Sequence, residues 1–170
     1  IHTKLREFDK GLEAEKLLQE MTKGKPVRVE FEVSTLYFTA VCYFGNDKME
    51  PALKRINQLI HGRYENIRKD IILCAHWLNI MIHYELGNFS LMKRLLTVTK
   101  NFMQKHSFPM EEAESFFKKL SEFLKAAEAG KENLLRQKVE QIIPILDNYE
   151  FIDDDVMKWW FEKLIEPAEA

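Results

Sequence analysis

The sequence contains few of the residues that make turns. Only six glycines and five prolines occur among 170 residues, so the chain must form a small number of long elements. Hydrophobic residues make up 46% and charged residues 31% of the chain, a balance typical of globular rather than disordered proteins. The abundant Leu, Glu, Lys, Met and Ala are strong helix formers. The composition therefore predicts an all-helical globular protein.

A net charge of one sign is also missing. The 25 basic and 27 acidic residues give a formal net charge of −2, which provides no field to attract a polyanion or an anionic membrane surface. The local basic residues Lys23, Lys25 and Arg28 are followed directly by Glu30 and Glu32. We therefore predict that the protein binds neither nucleic acid nor a membrane.

Cysteines and long apolar runs are scarce. Cys42 and Cys74 are the only cysteines, and both lie in apolar segments, where a free cysteine acts as a small buried hydrophobe. This usage favours a reducing compartment, and we predict a cytoplasmic location. The most apolar window, residues 71–82, is broken by His76 and Asn79, so no segment reaches the roughly 18 uninterrupted apolar residues of a membrane span.

Hydrophobic periodicity predicts eight helices, punctuated by glycines where apolar runs stop. They are expected near residues 9–22, 31–44, 49–61, 66–86, 89–106, 110–128, 131–147 and 154–165. The alternating run 27–31 resembles a strand, but a single short strand has no partner, and an extended link is predicted instead.

The glycine spacing indicates a repeat. Gly45 and Gly87 are 42 residues apart, Gly130 follows 43 residues later, and Gly11 precedes Gly45 by 34. Each glycine is predicted to mark a tight turn between a mostly apolar helix and a more amphipathic one. Self-similarity at this period is typical of solenoids built from helix hairpins.

The segment Leu86-Gly87-Asn88-Phe89, with Leu95 downstream, resembles the turn and second helix of a tetratricopeptide repeat. The resemblance covers about residues 9–147 as a divergent series of hairpins with unusually long spacing. It implies an all-α, right-handed stack of antiparallel helix hairpins, a tetratricopeptide-like α-solenoid of about eight helices. We expect a single domain over residues 1–170, with a capping helix near 154–165.

Sequence motifs of enzymes are missing. The chain has no G-x-G-x-x-G, P-loop, G-x-S-x-G or H-E-x-x-H motif, and no Glu stands three residues before His61, His76, His83 or His106. The two cysteines lack histidines at zinc-binding spacing. We therefore predict a non-enzymatic protein without cofactor or metal. An enzyme whose site is assembled from distant residues stays an alternative.

One predicted helix, near residues 66–86, is apolar around most of its circumference and must be buried on nearly all sides. Its polar residues His76, Asn79 and His83 share one face, because they are spaced i, i+3 and i+7. Burying them without hydrogen bonds would cost about 1–3 kcal/mol each. The stripe is therefore expected to face water, a groove or a hydrogen-bonding neighbour.

Alignment of the repeats by their turn glycines places Ser34 and Tyr37 level with this stripe on the preceding first helix, and Lys119 and Glu122 on the following one. In tetratricopeptide-like folds the first helices line the concave surface. The resemblance therefore implies that these side chains and the stripe form a peptide-binding groove. The alternative is a solvated inner face, with a histidine bonded to a neighbour.

The last predicted helix has one apolar face, as expected of an element that seals the end of a stack. Trp159 falls on its other side, and aromatic residues are favoured anchors at interfaces, so Trp159 is a candidate partner contact.

Together these patterns predict a scaffold that binds a protein or peptide. The alternative is a helical structural or regulatory module of a larger signalling or transcriptional protein, which the start at Ile1 rather than Met leaves open.

Overall fold

The computed structural model describes residues 7–147 and 154–166 and contains no strand within them. The helices are α1 (Phe8–Thr22), α2 (Val29–Gly45), α3 (Met49–Ile60), α4 (Lys69–Glu85), α5 (Phe89–Lys105), α6 (Met110–Glu128), α7 (Glu132–Leu146) and α8 (Asp154–Ile165). All eight predicted helices and the all-α class are confirmed.

Two helices begin more than one residue away from the predicted positions. α2 begins at Val29, because the extended link ends at Arg28 and residues 29–31 are already helical. α4 begins at Lys69, directly after an extended Arg68 (φ −131°, ψ 74°). The Arg68 guanidinium bonds both carboxylate oxygens of Asp70, with Nη2 to Oδ2 at 2.6 Å and Nε to Oδ1 at 2.9 Å. This pair lowers the pKa of Asp70 below its usual value and places a carboxylate in the first turn of α4.

The chain divides into two compact units, residues 1–86 (unit 1) and 87–170 (unit 2), and each is described by itself. In unit 1, α2 packs against α1, α3 and α4, and α3 also packs against α4. In unit 2, α6 packs against α5 and α7, and α8 packs against α7. Sequential helices within each unit are thus neighbours. The single repeat domain and its handedness stay predictions.

The predicted turn at Gly11 is wrong, because Gly11 lies inside α1. A Cβ atom at this position would collide with Sγ of Cys42 on α2. Glycine is therefore needed here for the close approach of two helices, and its spacing to Gly45 marks no repeat. Gly87 and Gly130 do occupy turns, with φ of 70° and 62°, as predicted. Asp47, with φ of 55°, has the corresponding conformation between α2 and α3.

Each unit has its own apolar core. In unit 1 the residues that are essentially inaccessible to solvent include Val33, Ala40, Ile56, Leu59, Leu73 and Leu78. In unit 2 the Phe123 ring of α6 meets two rings of α8 edge to face, with centroids 6.0 Å from Trp160 and 5.3 Å from Phe161. Edge-to-face pairs of this kind add to the stabilisation from buried area. The predicted burial of Cys42 is confirmed, and Cys74 is half-buried.

Within the described ranges, no helix combines the length and apolar content that a bilayer crossing requires. The cytoplasmic location stays a prediction.

Candidate functional site

The polar stripe of α4 is largely enclosed. His76 is 6% and Asn79 5% exposed, whereas His83 is half-buried. Burial lowers the pKa of His76 to about 4, with a smaller contribution from the nearby His61, and it also lowers the pKa of His83. Oδ1 of Asn79 has no hydrogen-bond donor in the described part of the chain. A solvated face is therefore excluded for His76 and Asn79.

The predicted groove residues of α2 take two different positions. Tyr37 is buried, and its ring meets the ring of the adjacent Phe38 edge to face at a centroid distance of 5.6 Å. Ser34 is half-buried, and its hydroxyl donates a hydrogen bond of 2.9 Å to the backbone oxygen of Glu30. Tyr37 is therefore buried with its ring in contact with Phe38, while Ser34 is partly exposed at the surface.

The predicted groove residues of α6 contact α7. Lys119 Nζ donates to Oε1 of Gln141 at 2.8 Å, and Lys138 Nζ donates to Oε2 of Glu122 at 2.8 Å. The hydrogen bond from Lys138 lowers the pKa of Glu122. Both side chains thus link the two helices of the α6–α7 pair within unit 2. A single row that joins them to α2 and α4 stays a prediction.

Trp159 lies half-buried on α8. Nζ of Lys163, one turn further along the same helix, is 5.7 Å from the centroid of its ring, a distance typical of a cation–π contact. The role of Trp159 as a partner contact stays a prediction.

An exposed apolar face on α2 was missed by the sequence analysis. It consists of Phe31, Ser34, Thr35 and Phe38, spaced i, i+3, i+4 and i+7, and is called the α2 face below. The two phenylalanines are 43% and 47% exposed. The hydroxyls of Ser34 and Thr35 donate to backbone oxygens one turn earlier, each at 2.9 Å. The polar hydrogens are thereby satisfied within the helix, and the face offers mainly carbon to a ligand.

Two adjoining cavities lie along the α2 face, between α1 and α2. The first has a volume of about 470 Å³. Its lining consists of Gly11, Ala14, Glu15, Leu18, Phe31, Ser34, Thr35, Phe38, Thr39 and Cys42. The second, of about 400 Å³, shares Leu18, Phe31 and Thr35 and reaches Arg55 of α3. Together they form a groove, called the α1–α2 groove, within the size range of small-ligand and peptide sites.

Polar residues occupy the end of the groove at α3. Arg55 Nη2 lies 3.5 Å from Oε1 of Glu15, and its Nη1 lies 3.5 Å from Oε1 of Gln58. A further cavity of about 550 Å³ adjoins Arg55 and is lined by Glu32, His61, Arg63 and Tyr64 among others. The groove therefore changes from an apolar to a charged lining along its length.

Glu32 is held by two neighbours at this charged end. The Tyr64 hydroxyl donates to its Oε1 at 2.6 Å, and Nη2 of Arg63 lies 3.4 Å from its Oε2. Burial, followed by the bond to Glu32, raises the pKa of Tyr64. Glu32 thus already has two partners in the free protein.

No sequence signal distinguished the α2 face from the core. α2 is apolar over most of its circumference, and the rings of Phe31 and Phe38 satisfy helical periodicity as well as any buried residue. Which side stays uncovered depends on where α1, α3 and α4 pack.

Metal binding has no support from the described residues, which contain no group of three or more His, Cys, Asp or Glu side chains able to share an ion. Comparison of the chain with protein-family models, with curated proteins and with solved structures gave no match. The resemblance to tetratricopeptide repeats therefore stays a prediction.

Proposed function

We propose that the protein is a non-enzymatic module that binds a segment of another protein in the α1–α2 groove. The observation that carries this proposal is the α2 face, where two phenylalanine rings remain nearly half exposed beside a cavity of about 470 Å³. Apolar side chains exposed beside a concavity of this size are typical of binding sites.

The free energy gained by covering the α2 face favours a ligand the size of a peptide segment over one of a few atoms. Covering the exposed part of each ring is worth about 2 kcal/mol at ~25 cal/mol per Å². Association itself costs at least about 4 kcal/mol. The two rings alone therefore only offset that cost, and a stable complex must also use the neighbouring apolar surface of Leu18 and Val27, which line the same groove.

The charged residues of the groove favour recognition over catalysis. Glu15 pairs with Arg55, and Glu32 pairs with Arg63 and Tyr64. Charged side chains that are held in ion pairs are suited to orient a polar ligand. The buried His76, whose pKa is strongly shifted, is not among the residues that line the groove.

The test is selection of helix-length peptides from a displayed random library against the full chain, followed by affinity measurement on variants. We expect the double variant Phe31→Ser/Phe38→Ser to lose at least about a hundredfold in affinity, because the two rings together supply about 4 kcal/mol. Both rings are on the surface, so the helix content measured by circular dichroism should not change.

The matched control is Leu134→Ser, which alters an exposed apolar residue of α7 in unit 2. It should leave the affinity unchanged. Selected peptides that bind the Phe31→Ser/Phe38→Ser variant as tightly as the unaltered chain, or the absence of any specific peptide, would refute the proposed groove.

A further inference from the structure

Arg55 has unused hydrogen-bonding capacity at the end of the α1–α2 groove. Its side chain is only 27% exposed, and its hydrogen bonds to Glu15 and Gln58, both at 3.5 Å, are at the outer limit for such contacts. A guanidinium carries five N–H donors in a planar fork. A well-placed carboxylate can accept two of them at about 2.8 Å and would form a stronger pair than the one present.

The α2 face has the arrangement that receives a side chain from another helix. In packed helices, a side chain of one helix inserts into a hole formed by four residues of its neighbour. Phe31, Ser34, Thr35 and Phe38 form such a set, with large rings at i and i+7 and small residues at i+3 and i+4. The hole opens into the cavity of about 470 Å³ between α1 and α2, and its small residues leave room for one large apolar side chain.

The charges around Arg55 favour an acidic ligand. Three cations, Lys25, Arg55 and Arg63, and two carboxylates, Glu15 and Glu32, line the two cavities that meet at Arg55. The excess of one positive charge is complementary to one carboxylate. Because Glu32 is held by Tyr64 and Arg63, Glu15 is the one carboxylate of the two that competes with a ligand for Arg55, beside the neutral amide of Gln58.

We infer that the occupant of the groove is an amphipathic α-helix that seats an apolar side chain in the α2 face and presents an acidic side chain, about one turn away, to Arg55. Phe31, Thr35 and Arg55 line the same cavity, of about 400 Å³, so side chains from neighbouring turns of one helix can reach the α2 face and Arg55. This inference depends on the proposed function and specifies the chemistry of the partner.

The experiment uses three fluorescein-labelled helical peptides that share one apolar stripe and differ only in carrying Glu, Gln or Lys one turn from the central apolar residue. Binding to the full chain is measured by fluorescence anisotropy. We expect the Glu peptide to bind about tenfold more tightly than the Gln peptide, and the Lys peptide to bind most weakly, because a charge-assisted pair with Arg55 is present only in the first.

Two arginine variants assign the preference to one residue. Arg55→Gln should abolish the difference between the Glu and Gln peptides while binding of the Gln peptide persists. Arg94→Gln is the control: Arg94 is an exposed arginine of α5 and is not among the residues that line the cavities at Arg55, so the preference for Glu should remain. Circular dichroism verifies that both variants keep their helices.

The outcomes separate this inference from the proposed function. If all three peptides bind equally, yet none binds the Phe31→Ser/Phe38→Ser variant, binding in the groove is supported and the preference for an acidic partner is refuted. Equal binding by a proline-containing peptide that cannot form a helix refutes the helical occupant. Sedimentation equilibrium that reveals a dimer abolished by Phe38→Ser overturns the inference in favour of a second copy. Peptide affinity that is unchanged in the Phe31→Ser/Phe38→Ser variant contradicts the proposed function itself.

Discussion

Gly11 and Cys42 face each other across the contact between α1 and α2, with no space for a further carbon atom. The sequence pattern predicted a turn at this glycine, because glycine is equally typical of turns and of close helix contacts. Only the position of α2 distinguishes the two uses. The contact also forms the apolar end of the α1–α2 groove, where both residues line the cavity.

We predict that Gly11→Ala lowers the free energy of unfolding by about 1 kcal/mol. Overpacking costs about 1–3 kcal/mol, and the higher helix propensity of alanine returns about 1 kcal/mol. In a Cys42→Ala background the colliding sulfur is gone, so the same substitution should be neutral or stabilising. Urea unfolding of the four proteins in this cycle is the measurement, and an equal loss in both backgrounds would contradict the proposed collision.

Ser34 illustrates what could be predicted of the candidate site at this scale. Its place in a binding groove was predicted from alignment of the repeats and stays a prediction; in the structure it lies half-buried on the α2 face. Tyr37, predicted with it, is instead buried behind Phe38. Phe31 and Phe38 were missed, because an exposed phenylalanine in an apolar helix has the same sequence pattern as a buried one.

At the scale of the helices, prediction succeeded because the signals are local. Hydrophobic periodicity and the residues at helix ends are encoded within a few turns, and all eight helices were found. The start of α4 was predicted too early because the contact between Arg68 and Asp70 is not visible as periodicity. The polar stripe of α4 was recognised as one face, but its burial depends on neighbouring helices.

The adjacent tryptophans of α8 provide a test of the two faces of that helix. Trp160 is 2% exposed and packs edge to face on Phe123, so Trp160→Ala should lower the free energy of unfolding by about 3–5 kcal/mol. Trp159 is half-buried beside Lys163, and Trp159→Ala should cost about 1 kcal/mol or less.

Urea unfolding followed by circular dichroism measures both tryptophan variants. Each substitution removes the same side chain from neighbouring positions of one helix, so each is the control for the other. Equal losses of stability would mean that α8 does not use one face to cover the core of unit 2.

For the whole molecule, the buried His76 makes stability depend on pH. Burial lowers its pKa to about 4 in the folded protein, whereas an unfolded histidine has a pKa near 6.5. Between about pH 6.5 and pH 4 the unfolded chain therefore binds a proton that the folded chain does not. Stability falls as the pH drops through this window, by about 3 kcal/mol in total.

We predict that His76→Gln removes this part of the pH dependence. Urea unfolding of both proteins is measured at several values between about pH 7.5 and about pH 3, limits that bracket the two pKa values. As the pH falls, the free energy of unfolding should decrease less in the variant than in the unaltered protein. Protonation of carboxylates changes the free energy of unfolding equally in both proteins, so this contribution cancels when the two free energies are subtracted. An identical pH dependence in the two proteins would show that His76 is not buried in its neutral form.

The sequence by itself determined the helical class, the eight helices and the low net charge, because periodicity, propensity and charge are properties of neighbouring residues. Tertiary structure alone decided that His76 and Asn79 are enclosed, that Gly11 separates two helices, and that Phe31 and Phe38 are left exposed. The sequence of a helix that is apolar on nearly all sides does not indicate which side its neighbours will cover. The α2 face and the α1–α2 groove exist because α3 and α4 pack on other sides of α2, while α1 borders the face without covering it.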